Sequence, residues 1–149
     1  MSQRGGSVVT YVKFGKQVHS PVIEKGEADY ILAFELLEAA RYLPYLKKDG
    51  KIIVNTQKID PMPVITGAME YPENLLEKLE ATGADVTATD ALELAMEAGN
   101  AKAVNVALIG SLAKVMEFTK EQWETAIRET VPERFRELNQ KAFDLSYSK

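Results

Sequence analysis

The chain has 149 residues, 46% hydrophobic and 27% charged, with a formal net charge of −4, which suits one domain over 1–149 with a core burying about 68–70% of the unfolded surface. It has no cysteine, which excludes disulfides, thiolate chemistry and a cysteine scaffold for an iron–sulfur cluster. The mild acidity without a Lys/Arg run argues against nucleic acid, and the lack of an apolar run near 18 residues argues against a membrane span, so a cytoplasmic location is expected.

Near the start, Arg4, Gly5 and Gly6 join a permanent guanidinium to two residues that accept positive φ and expose backbone N–H groups. The combination suits an anion or a partner's backbone, and equally an ordinary turn into a strand. Residues 1–23 carry Arg4, Lys13 and Lys16 but no acid, leaving a basic N-terminal edge. Residues 7–14 alternate in character and stop at Gly15, and 17–19 return before Pro21, so a β-hairpin or strand pair is expected. Residues 28–34 read as a short apolar strand. Leu36, Ala39, Ala40, Leu43 and Leu46 then follow helical spacing, with Pro44 bending or shortening the helix.

Gly50 is a stop, and 51–55 reads as a strand buried on both faces because Ile52, Ile53 and Val54 are consecutive. Residues 56–71, with Pro61, Pro63 and Gly67, read as a loop, and Pro72 suits the first turn of a helix reaching about 81. A strand at 84–89 leads to Asp90 and Glu93, spaced as a cap and first-turn acid for a helix to about 98. Over 102–116, Val104, Leu108, Ser111, Leu112 and Val115 share one face, and Gly110 with Ser111 permits close approach of a neighbour. Thr119 and Gln122 form a capping-box pattern before a helix bearing Trp123 and Ile127, and Pro132 restarts a last helix with Phe135, Leu138, Ala142 and Leu145. The expected fold class is α/β: a mostly parallel sheet flanked by helices, with a helical C-terminal tail.

Chemistry is sparse. His19 is the only histidine, so a multi-histidine metal site is excluded, and its expected place is a strand face. Glu35 follows a strand, where ligands bind in open α/β sheets, and Glu38 and Arg41 lie at i,i+3 on the next helix; partner recognition and a helix-start acid beside a surface ion pair are the alternatives. Asn55 and Thr56 end a central strand, placed for polar contact or for turn initiation. Asn105, in an apolar turn, needs a hydrogen-bond partner if buried. There is no Gly-x-Gly-x-x-Gly, no P-loop and no nucleophile–base set.

Residues 1–9, with Gln3, Arg4, Gly5 and Gly6, then Ser20 to Ile23, Ala28 and Asp29 to Phe34 and Glu35, Glu38 through Pro44, and Ile52 through Thr56 recur in an order and spacing that resemble a known family. So do Gly99, Asn100, Asn105, Leu108 to Ala113, Val131 to Phe135 and Asn139 to Phe143. The family is the gamma-type subunit of the 2-oxoacid:ferredoxin oxidoreductases, nearest to the beta subunit of the indolepyruvate enzymes. The resemblance implies a pyruvate/ketoisovalerate oxidoreductase gamma-type domain. Family members carry a further strand, a Gly-Gly-Gln-Gly turn and a helix ahead of this segment, so the resemblance implies either an N-terminal truncation or a missing part supplied by another chain.

The same resemblance implies an accessory subunit in oxidative decarboxylation of indolepyruvate or another aryl 2-oxoacid to the acyl-CoA. Thiamine diphosphate, magnesium and iron–sulfur clusters then belong to a large partner subunit, with ferredoxin, CoA and the 2-oxoacid met through the complex. Gln3, Arg4, Gly5, Gly6, Glu35 and Asn105 are the candidate cofactor-binding or interface residues. The alternative is a non-enzymatic α/β binding or scaffold protein that self-associates into a homo-oligomer through an exposed sheet edge.

Overall fold

Ile52, Ile53 and Val54 are wholly buried at the centre of a three-stranded sheet, and their burial on both faces explains an unbroken apolar triplet. A computed structural model describes residues 8–149, so Gln3, Arg4, Gly5 and Gly6 lie outside the described residues. The strands β1 (Ala28–Ala33), β2 (Leu46–Asn55) and β3 (Asp85–Thr89) run parallel in the order β1-β2-β3. Between β1 and β2 lie α1 (Leu36–Tyr42) and a 3₁₀ turn (Leu43–Tyr45). Between β2 and β3 lie α2 (Met62–Ile65) and α3 (Leu75–Glu80). After β3 come α4 (Ala91–Ala98), a 3₁₀ turn (Ala101–Ala103), α5 (Val104–Ala113), α6 (Lys120–Thr130) and α7 (Glu133–Ser148).

Period-2 geometry sorts the strand residues into two layers. Ile31, Ala33, Ile52, Val54 and Val86 pack with Ala39 and Leu43 from the β1-to-β2 connection and with Leu79 of α3. Tyr30, Leu32 and Ile53 point the other way, against Leu94 and Ala95 of α4, Leu108 of α5 and Ala142 of α7. The expected α/β architecture is therefore present, as three layers. The capping box is also present: Thr119 accepts from the Gln122 N–H, and the Gln122 side chain accepts from the Thr119 N–H at 2.9 Å.

Several expectations need correction, among them the loop expected at 56–71, which holds the short helix α2. No strand forms in residues 8–27. The apolar side chains there face solvent, Val12 being 70% exposed, so no buried face fixes a register. Side chains hold this arm instead: Tyr11 on Tyr45, Lys13 to the Val22 carbonyl at 2.8 Å, and Phe14 on Phe118. His19 thus sits on an exposed irregular segment rather than a strand face.

The helix read to Leu46 ends at Tyr42, because Pro44 takes the chain into the 3₁₀ turn and Leu46 already belongs to β2. That strand begins irregularly. Ala28 pairs with Leu46 and Tyr30 with Lys51, and Asp49 has φ 65°, so 47–50 bulge before regular pairing starts where the sequence placed the strand. The helix expected from Pro72 begins only at Leu75, after Asn74 at φ 56°. The 102–116 helix opens as a 3₁₀ turn and stops at Ala113.

Candidate functional site at the carboxyl edge of the sheet

Three parallel strands deliver their last residues to one edge, the position at which open α/β sheets bind ligands. Glu35 follows β1, Asn55 ends β2 and Thr89 ends β3. Glu35 is only 6% exposed. Its carboxylate accepts from the Glu38 N–H at 3.1 Å, capping α1, and also accepts a hydrogen bond from the Tyr71 hydroxyl. Glu38 in turn pairs with Arg41 at 2.8 Å. The acid therefore holds both a helix cap and a phenol.

Asn55 is fully buried and joins three segments. Its amide nitrogen donates to the Phe34 carbonyl at 3.3 Å, while its oxygen accepts from the Ala91 N–H at 3.1 Å, so a strand-end side chain supports the start of α4. Asp90 caps the same helix through the Glu93 N–H at 2.9 Å. Beside them, the hydroxyls of Thr89 and Ser111 lie 2.8 Å apart and those of Ser111 and Ser146 2.7 Å apart, a chain linking β3, α5 and α7. Above Glu35, Lys58 stands 4.4 Å over the Tyr71 ring and pairs with Asp60 at 3.4 Å.

Among the described residues no group of three or more His, Cys, Asp or Glu converges to hold a metal ion. With no cysteine in the sequence, these residues do not fit an iron–sulfur cluster. What the edge does is fix loops on the strand ends.

Asn105 is not part of it. It is exposed in the first turn of α5, six residues before Ser111, or roughly 9 Å along the helix axis. Tyr71, Lys58, Ser111 and Ser146 were not legible as site residues. Tyr71 falls in an aperiodic Pro/Gly segment, and its partner is 36 residues away.

Burial, and then the Glu35 carboxylate, push the Tyr71 phenol well above the ordinary tyrosine range. A proton kept by the fold but lost by the unfolded chain makes stability fall with rising pH. The contribution is complete below about pH 10 and lost progressively above it. Spectroscopic titration of the six tyrosines is expected to show a late-ionising phenol that Tyr71→Phe removes. Superimposable late phases, corrected for one fewer tyrosine, would contradict this.

A family model described as pyruvate ferredoxin/flavodoxin oxidoreductase matches residues 1–149. The chain belongs to this family. It is 43% identical over 150 residues to the indolepyruvate oxidoreductase subunit IorB of Thermococcus kodakarensis, covering 97% of this chain and 74% of that protein. To the protein of the same name from Archaeoglobus fulgidus it is 40% identical over 152 residues, covering 99% and 75%. Among solved structures it resembles the gamma subunit of the keto/oxoacid ferredoxin oxidoreductase from Geobacter sulfurreducens PCA, with a TM-score of 0.60 and 25% identity over 85% of this chain and 66% of that one. Membership places the chain among the subunits of 2-oxoacid:ferredoxin oxidoreductases. Among the described residues, no helix is long and apolar enough to cross a membrane.

Proposed function

We propose that the chain is the accessory subunit of an enzyme that oxidatively decarboxylates indolepyruvate or a related aryl 2-oxoacid. The observation that carries this reading is the 43% identity to a protein named indolepyruvate oxidoreductase subunit IorB, extending over 97% of the chain. The 2-oxoacid and CoA yield acyl-CoA and CO2, and the two electrons released pass to oxidised ferredoxin. Thiamine diphosphate, magnesium and iron–sulfur clusters are assigned to the large partner subunit, consistent with a chain without cysteine.

The part assigned to this subunit is to complete the assembly. Its strand ends and the loops fixed on them form the surface turned towards the partner, and Gln3, Arg4, Gly5 and Gly6 supply an interface or anion contact. Nothing is asked of Asn105 beyond a place on the subunit surface.

Co-expression of this chain with the large thiamine-binding subunit of an indolepyruvate oxidoreductase tests the reading. The expected result is co-purification and indolepyruvate-dependent reduction of a viologen dye, lost when either chain is omitted. A folded protein that associates only with itself and leaves the large subunit's activity unchanged would favour the scaffold alternative.

A further inference from the structure

Residues 57–73 connect β2 to the start of α3 and carry one short helix, α2. It is internally bonded: the Ile65 N–H donates to the Pro61 carbonyl at 3.0 Å, Thr66 to Met62 at 2.9 Å and Met69 to Pro63 at 3.0 Å. It therefore keeps its own shape and needs only to be tied down. The Tyr71 hydroxyl supplies a tie to the strand ends by donating to Glu35, a carboxylate already fixed by capping α1.

The loop turns an apolar face outward: Ile59, Met62, Ile65 and Met69 are all exposed, Ile65 by 66%. The same segment carries the exposed acids Glu70 and Glu73, while Asp60 and Lys58 neutralise each other and Lys58 also covers the Tyr71 ring. An apolar patch with an acidic border is complementary to an apolar surface bordered by Lys or Arg, and methionines let such a face adapt to its partner.

We infer that Glu35 and Tyr71 are positioning residues whose hydrogen bond latches the 57–73 loop over the strand ends. The face so presented docks on an apolar, Lys/Arg-bordered surface of the large catalytic subunit. This rests on the function proposed above. It gives a buried carboxylate and a distant tyrosine a joint role in assembly, and makes neither a catalytic residue.

The test uses the co-expressed complex with Tyr71→Phe, Glu35→Gln and Ile65→Glu in this subunit. Ile65→Glu alters an exposed side chain and leaves the fold intact, so it stays informative if a latch variant folds poorly. Ile65→Glu and Tyr71→Phe are each expected to weaken association with the large subunit by about tenfold or more. Glu35→Gln, which keeps only one of the two oxygens that accept from the Glu38 N–H and the Tyr71 hydroxyl, retains one of the two bonds and lies between them and wild type. Excess variant subunit is expected to restore wild-type kcat with KM for the 2-oxoacid unchanged, a rescue that a damaged reaction centre would not show. Wild-type affinity in both Ile65→Glu and Tyr71→Phe overturns the inference alone. A wild-type subunit that does not bind the large subunit overturns the proposed function and the inference together.

Discussion

Replacing Asn55 with leucine is expected to destabilise the subunit by about 2–3 kcal/mol, because it leaves the buried Ala91 N–H without its acceptor and the half-buried Phe34 carbonyl without its side-chain donor. The side chain is fully buried. Leucine has the branching of asparagine and a larger volume, so no cavity opens. The loss is electrostatic: the Phe34 carbonyl loses its donor and the Ala91 N–H its acceptor. The Ala91 N–H cannot turn to water, since that residue is itself wholly buried at the start of α4.

Asn55→Asp separates the two halves of the argument. It keeps an acceptor for Ala91 but sets a carboxylate against the Phe34 carbonyl in a dry site, so it is expected to be at least as harmful at neutral pH and to recover partly in acid. Urea unfolding of the isolated subunit checks both variants, with the midpoint falling at unchanged slope. A leucine variant within about 0.5 kcal/mol of wild type, the range of neutral surface changes, would mean that the two partners find other hydrogen bonds.

Local patterns announced much of the scaffold. Ile52 to Val54 declared a doubly covered strand, and Asp90 and Thr119 declared helix starts because capping is settled within four residues of sequence. Alternation at 8–14 misled because it specifies a strand only where another strand accepts it, and here no face of the segment is buried. The bulge at 47–50 was hidden for a similar reason: it depends on how β2 meets β1.

The site divides along the same line. Glu35 and Asn55 were legible as positions because a strand end is a local feature. Their roles were not, since these are set by Tyr71 and Ala91, each 36 residues away from its partner. Family membership, by contrast, rests on the whole of residues 1–149. That is why function was more readable from the resemblance than from any single residue.

The second large effect is expected at Gly110, where substitution by alanine would force α5 and α7 apart. A Cβ there would stand 2.6 Å from the Phe143 carbonyl oxygen, 2.8 Å from Ser146 Cβ and 3.2 Å from the Tyr147 nitrogen. Two of these are backbone atoms of α7, and no rotamer change can move them. α7 must shift, and with it go the 2.7 Å contact between Ser111 and Ser146 and the packing of Phe143, a wholly buried ring in the cluster with Ala113 and Ile127. The helix propensity gained by replacing glycine, roughly 1 kcal/mol, offsets only part of an overpacking cost of about 3 kcal/mol or more.

A net loss near 2 kcal/mol is expected to lower Tm by roughly 4–8 °C for a chain of this size. The comparison that isolates the cause is Ser111→Ala. It interrupts the hydroxyl chain but leaves the helices in contact, and is expected to cost less than Gly110→Ala. Combining the two should cost less than their sum, because the glycine substitution has already parted the hydroxyls. Thermal unfolding of the two single variants and the double variant reads all three. Simple additivity would show that the alanine is absorbed without moving α7, and that the close approach at Gly110 does not hold the helical layer together.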